Sequence, residues 1–214
     1  MRFITICAAA VGLAACNRET PDNRTAEVGP VLTQADAPTR KIQASFDCGR
    51  ARGQAQELVC ADTGLATMDR EVARLAALAA EPAGQSQYDQ QRDNCWKADE
   101  LRQCVTTAAM LEIHRLRKGL QSAAPAKGLS NGPIAYSCGG IAGPVLATFV
   151  DSDRGGVAIE WGGETIAIDH VPTASGARYD GRWNGQSYAF WNKGEEATFT
   201  VPGKGDLQCA EQAD

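Results

Sequence analysis

Apolar and polar positions alternate with different rhythms along this chain. Residues 3–13 form a short apolar run behind Met1 and Arg2, and residues 17–45 are polar, carry Pro21, Pro30 and Pro38, and follow neither a helical nor a strand period. From Phe46 the pattern becomes helical. Leu65, Met68, Val72, Leu75 and Leu78 recur at steps of three and four behind Asp62 and Thr63, two N-cap candidates, which predicts an amphipathic helix ending before Glu81-Pro82. A second stripe runs through Leu101, Val105, Ala108 and Leu111, so residues 46–120 read as two or three antiparallel helices. Residues 121–133, with Ala, Pro, Lys and Gly, read as a linker. Beyond residue 134 the period shortens. Strand-length runs at 145–150, 157–161, 165–168, 187–191 and 197–201 are divided by turn signals such as Gly162-Gly163, Asn184-Gly185 and Pro202-Gly203, which predicts an antiparallel sandwich or small barrel. The fold class is therefore α+β in two separate modules, a small antiparallel helical domain followed by an antiparallel β domain over 134–214.

The N-terminal run holds about eleven apolar residues, too few to span a bilayer, and reads as a processed export signal. Leu13-Ala14-Ala15-Cys16 resembles the lipobox of bacterial lipoproteins. That resemblance implies removal of residues 1–15, a diacylglyceryl thioether on Cys16 and acylation of its new amino group, with several acyl chains giving firm anchoring. Residues 16–45 then form a lipidated, disordered tether. Asn17, rather than Asp, resembles the pattern exported to the outer membrane, facing the periplasm of a Gram-negative bacterium.

Composition narrows the chemistry. The 214 residues carry a net charge of −5 without any Lys/Arg block, which excludes nucleic acid as a partner. Residues 134–214 hold eleven acids against five bases, so the β domain carries the whole deficit. Of eight cysteines, Cys7 leaves with the signal and Cys16 carries lipid. Cys48, Cys60, Cys95 and Cys104 fall in the helical module, where three pairings are open, while Cys138 and Cys209 have one solution, a staple from first strand to last. There is no C-x-x-C pair, hence no zinc site, and neither a phosphate-binding glycine loop nor a dinucleotide fingerprint, hence no cofactor. Asp169, His170 and Ser175 superficially offer a hydrolytic triad. Adjacent residues on a strand point to opposite faces, however, so Asp169 does not orient His170, and the chain reads as a non-enzyme. His114, among Arg115, Arg117 and Lys118, reads as a solvated helix residue, and Glu195-Glu196 as solvent-facing turn charge.

Two motifs carry a resemblance. Ser175-Gly176-Ala177-Arg178-Tyr179 gives S-G-x-x-Y, and Trp191-Asn192-Lys193-Gly194-Glu195-Glu196-Ala197 gives W-x-K-G-x-x-A, followed by Cys209. Over residues 134–211 the chain resembles the membrane-bound inhibitors of c-type lysozyme, the MliC type. The resemblance implies a small β-barrel whose S-G-x-x-Y loop enters the lysozyme cleft. The serine there meets the catalytic glutamic acid and the hairpin lysine meets the aspartate, roles that fall on Ser175 and Lys193. The resemblance makes Ser175, Gly176, Tyr179 and Lys193 the lysozyme-binding residues; Gly176 allows close backbone approach, and Tyr179 and Trp191 brace the loop, touch the enzyme directly or belong to the core. Cys48, Val59-Cys60, Leu65-Ala66-Thr67-Met68-Asp69, Arg92-Asp93-Asn94-Cys95 and Cys104 resemble the N-terminal domain of LprI-type lysozyme inhibitors over about 46–116. The implied partners are c-type lysozyme and, through Cys16, the membrane. Competing readings are a non-catalytic module that binds peptidoglycan or another envelope protein, and a hydrolase using Ser175.

Overall fold

The structure is a computed structural model that describes residues 43–81, 87–120, 128–153 and 155–213. The signal, Cys16 and the tether up to residue 42 lie outside the described residues, as do linker residues 121–127. Four helices are described: α1 (Gln54–Ala61), α2 (Thr63–Leu78), α3 (Gln87–Asn94) and α4 (Leu101–Leu120). Asp62 caps α2, its carboxylate accepting from Leu65 N at 3.0 Å, and it also accepts from Arg102 of α4 at 2.6 and 3.0 Å. One aspartate thus starts one helix and ties it to another. Leu65, Met68, Val72 and Leu75 pack with Val105, Met110, Ile113 and Leu116 of α4, whereas Leu78, the last member of the expected stripe, is 51% exposed. The open pairing resolves to Cys48–Cys60 and Cys95–Cys104, two local staples on the short 3-10 turns at Cys48–Arg50 and Cys95–Lys97. No described helix is long and apolar enough to cross a membrane.

The β domain is a closed antiparallel meander. Its strands are β1 (Ser130–Cys138), β2 (Val145–Val150), β3 (Gly156–Trp161), β4 (Glu164–Val171), β5 (Ala177–Trp183), β6 (Gln186–Lys193), β7 (Glu196–Val201) and β8 (Gly205–Glu211), each paired with its sequence neighbour. Strand β1 starts within the segment read as a linker. The barrel closes where Tyr136 pairs with Glu211 and Cys138 with Cys209, and the Cys138–Cys209 disulfide lies on this seam, as the sequence predicts. Its closed loop, with a separation of 71 residues, contributes about 4 kcal/mol in the chain-entropy account. Asn184 (φ 48°) and Gly185 (φ 78°) give the tight hairpin between β5 and β6 its positive φ pair. Inside, Tyr136, Phe190 and Phe199 stack edge to face, with centroids 5.5 and 5.9 Å apart.

Helix α4 lies against the outside of β1 to β4. The outward positions Val150 and Ala167 belong to the helical core, and Met110 Sδ occupies the space a Cβ on Gly156 would fill. Strands covered on both faces lose their polar alternation, hence the continuous apolar runs of β2 and β3.

Polar groups tie the two modules together. Arg117, 2% exposed, donates to Ser130 Oγ at 2.6 Å, to the Gly132 carbonyl at 3.1 Å and to the Ser130 carbonyl. Ser130 Oγ donates in turn to Glu71 of α2 at 2.5 Å, and Arg74 forks onto the same carboxylate at 2.8 and 2.7 Å. His114 is not solvated, contrary to expectation. It is 2% exposed and bonds through Nε2 to Glu160 at 3.1 Å and through Nδ1 to Thr148 Oγ1 at 2.9 Å. A carboxylate only accepts, so Nε2 carries the proton and Nδ1 accepts from the threonine hydroxyl. Lys118 completes the group with bonds to Glu160 at 2.8 and 2.7 Å.

These contacts predict acid lability. Burial holds the His114 imidazole below its ordinary value of 6.5, outweighing Glu160. Burial pushes Glu160 up, but bonds from Lys118 and His114 outweigh it and hold the carboxyl below 4.5. Glu71 follows the same balance, with Arg74, Ser130 and Arg117 prevailing over burial. In each case the unfolded chain binds protons before the folded one, so stability is full above the unfolded pKa and falls with pH. Urea midpoints are expected to be flat above pH 7, to decline from about 6.5 as the unfolded histidine protonates, and to fall more steeply below about 4.5. The upper limb should vanish in His114→Gln; a profile flat down to pH 5 in the unmodified chain would contradict this.

Candidate functional site

In an antiparallel meander alternate connections share one end. The start of β1, the β2–β3 loop, the β4–β5 loop and the β6–β7 hairpin therefore gather at a single end of the barrel. The last two carry the motif residues. Ser175 and Gly176 sit in the bend between β4 and β5, and Lys193 ends β6; all three are exposed.

A single indole organises them. Trp191 Nε1 donates to the Ser175 carbonyl at 3.0 Å, and the Lys193 ammonium rests over the same ring, 3.5 Å from its centroid. Trp191 faces Arg178 across the β5–β6 ladder, and Arg178 is ion-paired with Asp180 at 3.0 Å. Gly176 (φ +67°) packs onto the hairpin backbone. A Cβ there would overlap the Asn192 carbonyl oxygen and lie 2.8 Å from Lys193 Cγ, so this contact requires glycine. Loop and hairpin are thus one body presenting a hydroxyl and an ammonium together.

The other expected residues divide. Tyr179 belongs to the barrel core, 7% exposed, tilted against Phe149 at 5.6 Å, with burial and then Asp151 pushing its phenol up to about 12. It supports the loop from beneath. Asp169 accepts from Gln103 of α4 at 3.1 Å, and the His170 ring lies edge-on to Tyr179 at 5.4 Å; neither partners Ser175. Glu195 and Glu196 are exposed, as a turn predicts. One supporting residue escaped the sequence reading. Asn192 donates to the Tyr136 hydroxyl at 2.8 Å and to the Gly194 carbonyl at 3.2 Å, pinning the hairpin to the core. Its position between Trp191 and Lys193 in the motif was the available signal. Burial first, then Glu211, pushes the Tyr136 phenol up to about 12, so it stays protonated as the acceptor in this bond. No group of three metal-ligating side chains occurs among the described residues.

The site is thus a disulfide-closed meander barrel that presents one braced loop and hairpin at one end. Residues 136–208 match the family described as membrane-bound lysozyme-inhibitor of c-type lysozyme, MliC. The chain is also similar to lipoprotein LprI of Mycobacterium bovis and of Mycobacterium tuberculosis, 29% identical over 203 residues, covering 89% of this chain and 90% of each relative. The barrel is thus similar to the MliC type, and the chain over most of its length to lipoprotein LprI.

Proposed function

We propose that this protein is an envelope lipoprotein that inhibits c-type lysozyme stoichiometrically, inserting the Ser175-Gly176 loop and Lys193 into the active-site cleft. The observation that carries this reading is the Trp191 brace, which fixes Ser175 through its carbonyl and Lys193 through the ring face. A retaining glycosidase of the lysozyme type works with one protonated carboxylic acid and one carboxylate a few ångströms apart. A hydroxyl can donate to or accept from the first in either protonation state, and an ammonium gives a charge-assisted bond to the second. The negative charge of residues 134–214 favours encounter with a basic enzyme. Lipid on Cys16, after loss of residues 1–15, holds the protein at the outer membrane facing the periplasm, with residues 16–45 as a tether. The name lipoprotein carried by the LprI relatives supports the anchoring.

The test is lysis of bacterial cell walls by a c-type lysozyme with increasing mature protein. Inhibition saturating at one inhibitor per enzyme is expected. Undiminished lysis at micromolar protein, with retention of the chain on purified peptidoglycan, would replace this reading with a wall-binding module.

A further inference from the structure

Lys193 stands between two points of attachment made by one side chain. Strand alternation turns Trp191 and Lys193 outward and Asn192 inward, where its amide meets the barrel core. Asn192 Nδ2 lies 2.8 Å from the Tyr136 hydroxyl and 3.2 Å from the Gly194 carbonyl. A carbonyl only accepts, so the atom facing both groups is the amide nitrogen, and its two hydrogens serve one each. The bridge thus ties the residues on either side of Lys193 to a hydroxyl 56 positions before Asn192 in the chain. Tyr136 is 0% exposed, with its ring edge to face on Phe190 at 5.5 Å, so no bound enzyme reaches it. Packing does not fix the turn itself. A Cβ built on Gly194 (φ +65°) would meet nothing within 4 Å, and the next tie along the hairpin is a main-chain bond, from Glu211 N to the Glu195 carbonyl at 2.7 Å.

We propose that Tyr136 is a positioning residue for lysozyme binding, its buried hydroxyl setting the place of Lys193 through the Asn192 amide; this deepens the proposed function and rests on it. An ammonium on a long stem gains from a carboxylate only what remains after the stem and the backbone beneath it are ordered. Trp191 directs the stem through its ring face. The amide bridge fixes the backbone from which that stem starts, so the two controls act on different torsions and neither replaces the other. The W-x-K-G-x-x-A motif leaves the second position open, and asparagine supplies there the pair of donors the bridge needs. An aspartate carboxylate cannot donate to the Gly194 carbonyl, and alanine reaches neither partner. A core hydroxyl that never touches the enzyme therefore sets part of the affinity.

Binding of a c-type lysozyme to the mature chain, measured by calorimetry and surface plasmon resonance, tests this. Tyr136→Phe keeps the ring and removes only the hydroxyl. It and Asn192→Ala are each expected to weaken binding about fivefold, and the two together no more than either alone. In a Lys193→Ala background Tyr136→Phe should have no further effect, because the residue it positions is gone. Val201→Ala changes the core where β7 ends, at the opposite end of the barrel, and should lower the thermal midpoint at least as far as Tyr136→Phe with Kd unchanged. An unchanged Kd for Tyr136→Phe, an equal loss for Val201→Ala, or a full fivefold loss persisting without Lys193 overturns the inference. If Lys193→Ala by itself still weakens binding, the proposed function stands without the Tyr136 bridge. If Lys193→Ala binds as the unmodified chain does, the lysine contact of the proposed function fails and this inference falls with it.

Discussion

Ser175→Ala/Lys193→Ala is expected to weaken lysozyme binding by about 3 kcal/mol, more than a hundredfold in Kd, while leaving the fold untouched. Both side chains are exposed, and the Ser175 bond to Trp191 uses the main-chain carbonyl, which alanine keeps. In the complex the loss is different in kind. Two carboxyl groups in a desolvated cleft each lose a partner, and leaving such groups unsatisfied costs more than the bond itself gained. Because Trp191 positions both residues in advance, little ordering entropy is spent on binding, so the contacts count nearly in full. Single variants should each show part of the loss, with coupling between them. A folded double variant whose Kd stays within twofold would end the proposed mechanism.

Arg117→Ala is expected to cost about 3 kcal/mol of unfolding free energy. Its guanidinium is the buried fork between α4 and the first residues of β1, and its removal leaves the Ser130 and Gly132 carbonyls without that donor and Glu71 with one cation fewer. Arg117→Lys should not restore stability, since a single ammonium cannot span the same three acceptors. Arg74→Ala removes a more exposed partner of the same carboxylate and should cost much less. Urea unfolding of the three variants measures this, and a loss below 1 kcal/mol for Arg117→Ala would show that the interface is not held by this network.

Several elements were legible because their causes are local. The stripe from Leu65 to Leu75 and its Asp62 cap, the runs that became β2, β3, β6 and β7, and the seam disulfide all follow from period, capping and turn chemistry within short windows. Strands β1, β5 and β8 were harder. Ser130–Cys138 begins with Ser, Asn, Gly and Pro, and Gly205–Glu211 alternates weakly, so their strand identity comes from barrel closure rather than from propensity. Motif spacing singled out Ser175, Gly176 and Lys193, which the fold leaves exposed beside Trp191, but not how the aromatic residues around them divide. Trp191 and Tyr179 are both aromatic and both on strands; only the packed barrel makes one the brace and the other core.

By itself, the amino-acid sequence determined the two modules, the closing disulfide, the charge of the β domain and the residues that ride at its loop end, because each depends on nearest neighbours or on composition. Only the tertiary structure decided the fate of His114, Arg117 and Asp169. On an isolated helix or strand edge such side chains face water, and it is the docking of α4 against β1 to β4 that buries the first two and bonds the third to Gln103. That docking brings together groups tens of residues apart, such as Glu71 with Ser130 and His114 with Glu160, and no periodicity within either module encodes it.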